Sequence, residues 1–419
     1  MIRRVVGVVG LTACLMCAAR TPAYAQPIAQ RGFAEASGVL YPQSASGDTT
    51  RATGRLWLRD EATVEPLAWL RVVVGVDIRA SSHDEVDTRR WFDWRDRGPQ
   101  RPAISLRRAA ASLTRGAWQV EVGRQVVRWG KTDIVVPTDH FAPRDLLVVV
   151  DQQYLAVNGL RLSSQRGANS VEAVWVPVFT PGRLPVRTQR WSPVSASVAA
   201  TLVDSEVSFP QRGQVGVRVG HTGAWYEATA SYFDGIRTLP DVAIVPVGLV
   251  PGGAVPILEL TRRYPRIRAT GLAVAVPTRW ATVKAESTVT TSADGVGDEY
   301  LLYVVQAERQ RGEWLFLGGY VGEAVFTAGS AAPFNPDRGL ARSVLARASV
   351  TLGPTRSAVL EMAVRRNGRG YYGKGELSQG VGQHWRATAS GVWIGGASDD
   401  FLGQYRRNSH ATATLRYSF

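Results

Sequence analysis

ATATLRYSF, residues 411–419, closes the chain and decides its fold. Ala411, Ala413, Leu415, Tyr417 and Phe419 alternate with Thr412, Thr414, Arg416 and Ser418. A period of two over nine residues makes a strand with one apolar and one polar face. About 9–11 residues is also what a tilted strand needs to cross a bilayer. The pattern recurs upstream in HWRATASGVW (384–393), WYEATASY (225–232), ATVKAES (281–287) and SAVLEMAVR (357–365). A soluble sandwich with one wet face produces the same alternation, so periodicity alone leaves sandwich and barrel open.

The connections separate them. Tight links with turn residues stand at TRGA (114–117), QRGAN (165–169), HTGA (221–224), VPTR (276–279), QRGE (310–313), LGPTR (352–356) and GVGQ (380–383). Between them lie longer irregular segments near 80–102, 130–152, 180–213, 235–263 and 327–338. A membrane barrel sorts its loops this way, with short periplasmic turns and long extracellular loops, and a sandwich has no reason to. The expected fold is all-β: a single transmembrane antiparallel barrel of about 18 strands, with 16 the alternative. An even count returns both ends to one side, and closure pairs every backbone edge, as lipid demands. Trp118, Trp129, Trp280, Trp314 and Trp385 near strand ends fit an aromatic girdle or, alternatively, a soluble core.

Residues 1–25 read as a cleaved signal peptide: Arg3 and Arg4, an apolar run, then Ala23-Tyr24-Ala25. A retained anchor or a lipoprotein site at LTAC (11–14) are the alternatives. Cleavage leaves a barrel domain of 26–419 without cysteine, since Cys14 and Cys17 depart with the leader. Removing Arg3, Arg4 and Arg20 takes 49 basic residues to 46 against 35 acidic, a surplus of 11. In an exported chain that surplus meets anionic lipid or solute and not nucleic acid; an arginine-rich compositional bias explains it equally well.

Few motifs carry chemistry. GRGYYG (368–373) matches a dinucleotide fingerprint but has strand-like flanks, so loop glycines are the better reading. None of His83, His140, His221, His384 and His410 has metal-ligand spacing, and DGVGDE (294–299) lacks the calcium-loop pattern. Asp139-His140 has no accompanying nucleophile motif. No enzyme activity, cofactor or metal is expected, with a barrel lipase or protease as the rival class. VAIVPVGLVPGGAVPIL (242–258) is too rich in proline and glycine for a helix. It reads as a long outer loop that lies against the wall or serves an apolar solute.

Two stretches carry a family resemblance. The C-terminal strand ending on Phe419 resembles the closing strand of Gram-negative outer-membrane barrels, which implies that Phe419 is read by the barrel-insertion machinery. GRQVVRWGKTD (123–133) with VPTDHFAPRDL (136–146) resembles a segment of large porin-like outer-membrane barrels linked with exporters and hydrophobic-compound handling. The matching residues are Gly123, Gln125, Val127, Trp129, Gly130, Pro143, Asp145 and Leu146; Ala142-Pro143 departs from the family's Asn-Pro or Asp-Pro. The resemblance implies an integral outer-membrane barrel and transport, with no established substrate; the expected function is a passive channel, set among lipid and lipopolysaccharide, for a small solute, anionic or apolar.

RWGKTDIVVPTDHFAPRDL (128–146) follows a strand heading outward and breaks its pairing near Gly130. Folded inward, it makes a candidate constriction, with Arg128, Lys131 and Arg144 opposing Asp133, Asp139 and Asp145. Inward-facing Lys284, Arg386 and Arg416 add pore-lining charge. The competing reading is a salt-bridged loop whose charges only hold it in place.

Overall fold

The computed structural model describes residues 28–45, 47–185, 189–192, 201–204, 207–249, 256–295, 297–329, 336–366 and 369–419. The expected leader falls outside the described residues. Eighteen strands form one closed antiparallel barrel. In chain order they are β1 (Ala29–Leu40), β2 (Ala52–Leu67), β3 (Leu70–Ser81), β4 (Arg101–Arg115), β5 (Trp118–Gln125), β6 (Val157–Arg166), β7 (Asn169–Val176), β8 (Gln214–Thr222) and β9 (Glu227–Ile236). The second half comprises β10 (Arg266–Pro277), β11 (Thr282–Ser292), β12 (Glu299–Arg311), β13 (Trp314–Thr327), β14 (Ser343–Thr351), β15 (Arg356–Arg365), β16 (Tyr371–Val381), β17 (Trp385–Gly395) and β18 (His410–Ser418). Each pairs with its neighbours in sequence, and β18 returns to β1 through eight residue pairs, Phe33–Ser418 to Leu40–Ala411. Gly32 N to Phe419 O (2.9 Å) and Phe419 N to Gly32 O (3.1 Å) extend that seam to the last residue.

The period of two has the expected outcome. Leu272, Leu360 and Leu377 stand 58%, 54% and 54% exposed on the outer face, where lipid solvates them. Their neighbours Glu361, Ala273 and Ser378 face inward with Lys284, Glu286 and Arg416. At one end all eight connections are tight: 68–69, 116–117, 167–168, 223–226, 278–281, 312–313, 352–355 and 382–384. Seven are the links read from turn residues; Ala68-Trp69 carries no such residue and was not legible. The other nine connections gather at the opposite end and include every long segment.

Trp118, Trp280, Trp314 and Trp385 are exposed at the tight-turn end, joined there by Trp69. Trp129 departs from the girdle reading. It is 3% exposed because it lies past the end of β5, on a loop that turns into the barrel, with its ring 5.1 Å from Phe141. Regular pairing stops at Gln125, five residues before the sequence suggested, so that Val127 can bury with Trp129 and Phe141.

The 242–258 segment is also more regular than expected. Asp241–Leu249 and Pro256–Arg263 form a hairpin at the long-loop end, joined in parallel by Thr201–Asp204; residues 250–255 lie outside the described residues. A register shift at Pro246/Gly248 and the first-position Pro256 are the places where a strand tolerates proline. Of the glycine-rich 368–373 motif, Gly368 lies outside the described residues and Tyr371, Tyr372 and Gly373 begin β16, with no helix following.

Inside, β8–β10 present small residues to the barrel axis. A Cβ on Gly216 would come within 2.8 Å of Trp129 and Phe141, and one on Gly271 within 2.7 Å of Thr138. This thinned wall is the seat of the inward loop.

The two faces predict opposite responses to charge. Leu360→Arg on the outer face is expected to destabilise the barrel by roughly 2–4 kcal/mol at mid-bilayer, while Thr388→Arg on the inner face stays near neutral. Urea-dependent folding into vesicles, followed by gel mobility with and without heating, measures both. Equal costs would reject the assignment of faces.

Candidate functional site: the inward loop and the passage beside it

Residues 126–156 join β5 to β6 by crossing the barrel interior. A buried loop must find partners for its backbone groups, and here inward carboxylates of the wall supply them. Glu286 on β11 is 2% exposed and accepts five hydrogen bonds: from the amides of Lys131 (2.9 Å), Thr132 (3.1 Å) and Thr138 (2.8 Å), and from the hydroxyls of Thr132 (2.9 Å) and Thr138 (2.7 Å). Glu172 on β7 binds Trp129 Nε1, Arg161 (2.6 Å) and Arg218 (3.2 Å). Neither acid stood out in sequence. Each is one more polar residue on an alternating strand, and only the loop's position gives it a task.

The singled-out loop charges are engaged as well. Asp139 accepts from Arg128 Nε (2.8 Å) and from the amides of Trp129 (2.6 Å) and Gly130 (2.9 Å), while Arg128 lies 4.1 Å over Tyr154. Lys131 pairs with Glu227 and Arg144 with Asp337. Asp133 meets Lys284 (3.1 Å), which also holds Glu308 (3.0 Å). Asp145, 1% exposed, receives Arg101 (2.8 Å) and Arg183 (3.0 Å). Burial works to raise its pKa, but the two guanidiniums hold its carboxyl well below the usual carboxylate range.

The open space lies to one side of this anchored plug. A cavity of about 400 Å³ runs between the loop's 148–153 segment and the wall of β1–β3 and β15–β18. Arg386 and Arg416 line it; Arg128, Lys131, Asp133, Asp139, Arg144, Asp145 and Lys284 are set away from it, in the plug and on the opposite wall. Among the described residues its basic side chains are Arg55, Arg79, Arg101, Lys374, Arg386 and Arg416, six against the four acids Glu35, Glu85, Asp151 and Glu376. Arg59 and Arg79 are stacked 4.5 Å and 4.3 Å from the Trp57 ring, and Arg416 is 4.2 Å from Phe33 while paired with Glu35. These contacts fix guanidiniums along the wall. Arg55, Arg79 and the 148–153 rim were missed because no local motif marks them. A second space, about 440 Å³, opens at the tight-turn end beside β4–β8.

His140 is a packing residue. Its ring stacks on Phe233 with centroids 5.2 Å apart, and burial pushes its pKa down to about 4, against the opposing pull of Asp337 and Asp139. Asp298 and Glu299 of the acidic turn are taken up by Arg338 and by the Ser292 amide (3.2 Å).

No family model matches the sequence, and no curated protein matches it either. Among solved structures the chain is similar to Acinetobacter baumannii OccAB4, with TM-score 0.54 and 10% identity over 94% of this chain and 99% of that one. A BenF-like porin from Pseudomonas fluorescens Pf-5 gives 0.55 and 10%, over 94% and 97%. Pseudomonas aeruginosa OccK3 (OpdO) gives 0.52 and 11%, over 93% and 95%. At such identities the likeness is one of fold: a porin barrel traced over almost the whole chain.

Two outcomes follow for the plug. Glu286→Gln orphans buried amides at roughly 1–3 kcal/mol each, so hydrogen exchange at Lys131, Thr132 and Thr138 accelerates; unchanged exchange would remove Glu286 as the clamp. For His140 the folded pKa, about 4, lies below the ordinary 6.5. Its packing is therefore at full strength above pH 6.5 and weakens by up to roughly 3 kcal/mol as pH falls toward 4. Exchange at residues 138–142 should rise through that window and lose the step in His140→Phe.

Proposed function

We propose that this chain is a passive outer-membrane channel for small solutes, and that the solute moves beside the inward loop through the 400 Å³ cavity. The observation that carries the reading is the cavity's course. It extends from Arg386 and Arg416 at the tight-turn end to Val392 and His410 at the loop end. Six residues of β17 separate Arg386 from Val392, about 20 Å of strand. Polar and charged side chains line most of that course, as a wet passage requires. The lining surplus of two positive charges favours small anions.

In this reading the 126–156 loop narrows the barrel in two parts. Residues 128–146 anchor it: their charges are neutralised in pairs, or buried. Residues 148–153 form the rim that a solute meets, with Asp151 and Gln153 across from Arg55, Arg386 and Arg416. No described residue of the apolar hairpin at 241–263 lines the cavity, so a route for apolar compounds has less support. Catalysis has less support again. His140 is buried and stacked, and the solved structures of similar fold include a barrel described as a porin. The exposed Phe419 at the closing seam is read as the insertion signal, with lipid and lipopolysaccharide as the barrel's surroundings.

Reconstitution in a planar bilayer gives discrete conductance steps; a silent, correctly folded barrel sinks the proposal. Under a potassium chloride gradient the reversal potential reports anion preference. Arg386→Glu takes the lining surplus to zero and moves that potential toward the nonselective value. Asp151→Asn strengthens anion preference, whereas Asp133→Asn leaves it unchanged. The opposite order for the two aspartates would return selectivity to the 128–146 segment.

A further inference from the structure

Behind the loop's 144–156 stretch, against β3–β5, lies a small cavity of about 30 Å³. Arg79, Arg101, Arg107, Arg124 and Arg183 contribute to its wall. The acids there among the described residues are Asp77, Asp96 and Asp145, leaving two positive charges in excess. Just beyond the wall, Arg59 reaches Asp77 (2.7 Å) and Glu85 reaches Arg101 (3.0 Å), one charge of each sign. Glu61 is paired with Arg31, while Asp93 and Asp151 act on Arg124 and Arg101 through space and offset part of the surplus.

Donors are in surplus too. Arg101 and Arg183 hold Asp145, Arg124 holds Asp96 at 3.2 Å, and Arg79 holds Asp77 at 3.0 Å. After those bonds, Nε of Arg79 and Nε of Arg183 are buried without a hydrogen-bond partner. Arg183 has only 4% of its side chain exposed. The Arg107 guanidinium feels Asp77 and Glu61 electrostatically but makes no hydrogen bond or ion pair among the described residues.

A buried surplus of charge is costly unless a counter-charge sits beside it. Arginine cannot escape by losing its proton. Water filling the cavity would satisfy N–H groups and leave the charge. The space takes one or two bodies of about water size, which suits a halide better than an organic carboxylate or phosphate.

We propose that this cavity is a structural binding site for a monovalent anion of halide size, chloride in ordinary saline. Arg107 and Arg183 supply the main donors, Arg79 the third, and the Ser105 hydroxyl also lines the space. The ion ties three parts of the chain: the β3–β4 wall, the loop at Asp145, and the connection that carries Arg183. Its role is distinct from permeation, although Arg79, Arg101 and Gln153 face both this cavity and the passage.

Bromide is the probe. The intact barrel is crystallised in detergent with sodium bromide as the sole halide. An anomalous peak within hydrogen-bond reach of Arg107 and Arg183 is expected; density there without anomalous signal is water and overturns the proposal. In solution, exchange of the Asp145–Leu147 amides slows when chloride replaces gluconate at constant ionic strength. Equal exchange in the two salts also overturns it. Arg107→Gln spares every loop anchor and lowers halide affinity about tenfold or more, as loss of one charge-assisted bond does. If that variant fails to fold, the two wild-type measurements still decide. Neither uses conductance, so a silent channel and an empty anion site are separable failures.

Discussion

Lipid offers no hydrogen-bond partner, and from that constraint the rest of the molecule follows. A sheet in such a solvent cannot keep an edge, so β18 must find β1. Eight residue pairs and the Gly32–Phe419 bonds complete that meeting. Closure then imposes the two-residue alternation on every strand, because each side chain faces either hydrocarbon or the enclosed space. It also forces the connections to alternate between ends. The tight turns, the outer apolar belt and the inner polar wall are three consequences of one missing partner.

Closure creates a second problem, which is the interior. Eighteen strands enclose more room than wall side chains fill. The chain answers with 31 residues between β5 and β6, folded inward with almost no ladder of their own. That loop brings into the barrel amides that would be costly to leave unpaired. Carboxylates are suited to them, since each can accept several bonds at once. Glu286 takes five, Asp139 three, and Asp145 binds two guanidiniums and the Leu147 amide (3.2 Å). Small residues opposite, Gly216 and Gly271 among them, leave the depth in which the loop lies.

Much of the barrel was legible because its signals are local. ATATLRYSF has its face assignment written in nine residues, and HTGA or QRGE mark a turn without help from elsewhere. The strand count follows from those signals by addition, and so does an inward loop after the β5 strand, although pairing ends at Gln125 and not near Gly130. What a side chain does inside the barrel was not legible. Glu286 and Lys284 sit two apart on one strand and look equivalent in ATVKAES, yet one clamps backbone and the other bridges two acids. Their difference is set by Thr132, Thr138, Asp133 and Glu308, none of them near in sequence. The hairpin at 241–263 was obscured for another reason: its prolines occupy a bulge and a strand start, positions that only register reveals.

The acids and bases of the interior have separate fates, and this decides the field inside the cavity. Carboxylates around the plug are consumed by anchoring: Glu286 and Glu172 of the wall, with Asp139 and Asp145 of the loop, are buried, or nearly so, each with several donors. Such charges are neutralised at short range and project little field into the passage. The opposite wall keeps cations with lighter duties. Arg386 is exposed in the cavity, and Arg416 gives up one face to Glu35 while its plane lies over Phe33. Most charges that hold the loop therefore stand apart from those that line the cavity, with Arg101 and Arg79 in both sets: they line it while bonding Asp145 and Gln153. Lys374, Arg386 and Arg416 on β16–β18 make none of the loop's anchoring bonds among the described residues, so changing them alters the charge of the cavity without loosening the plug.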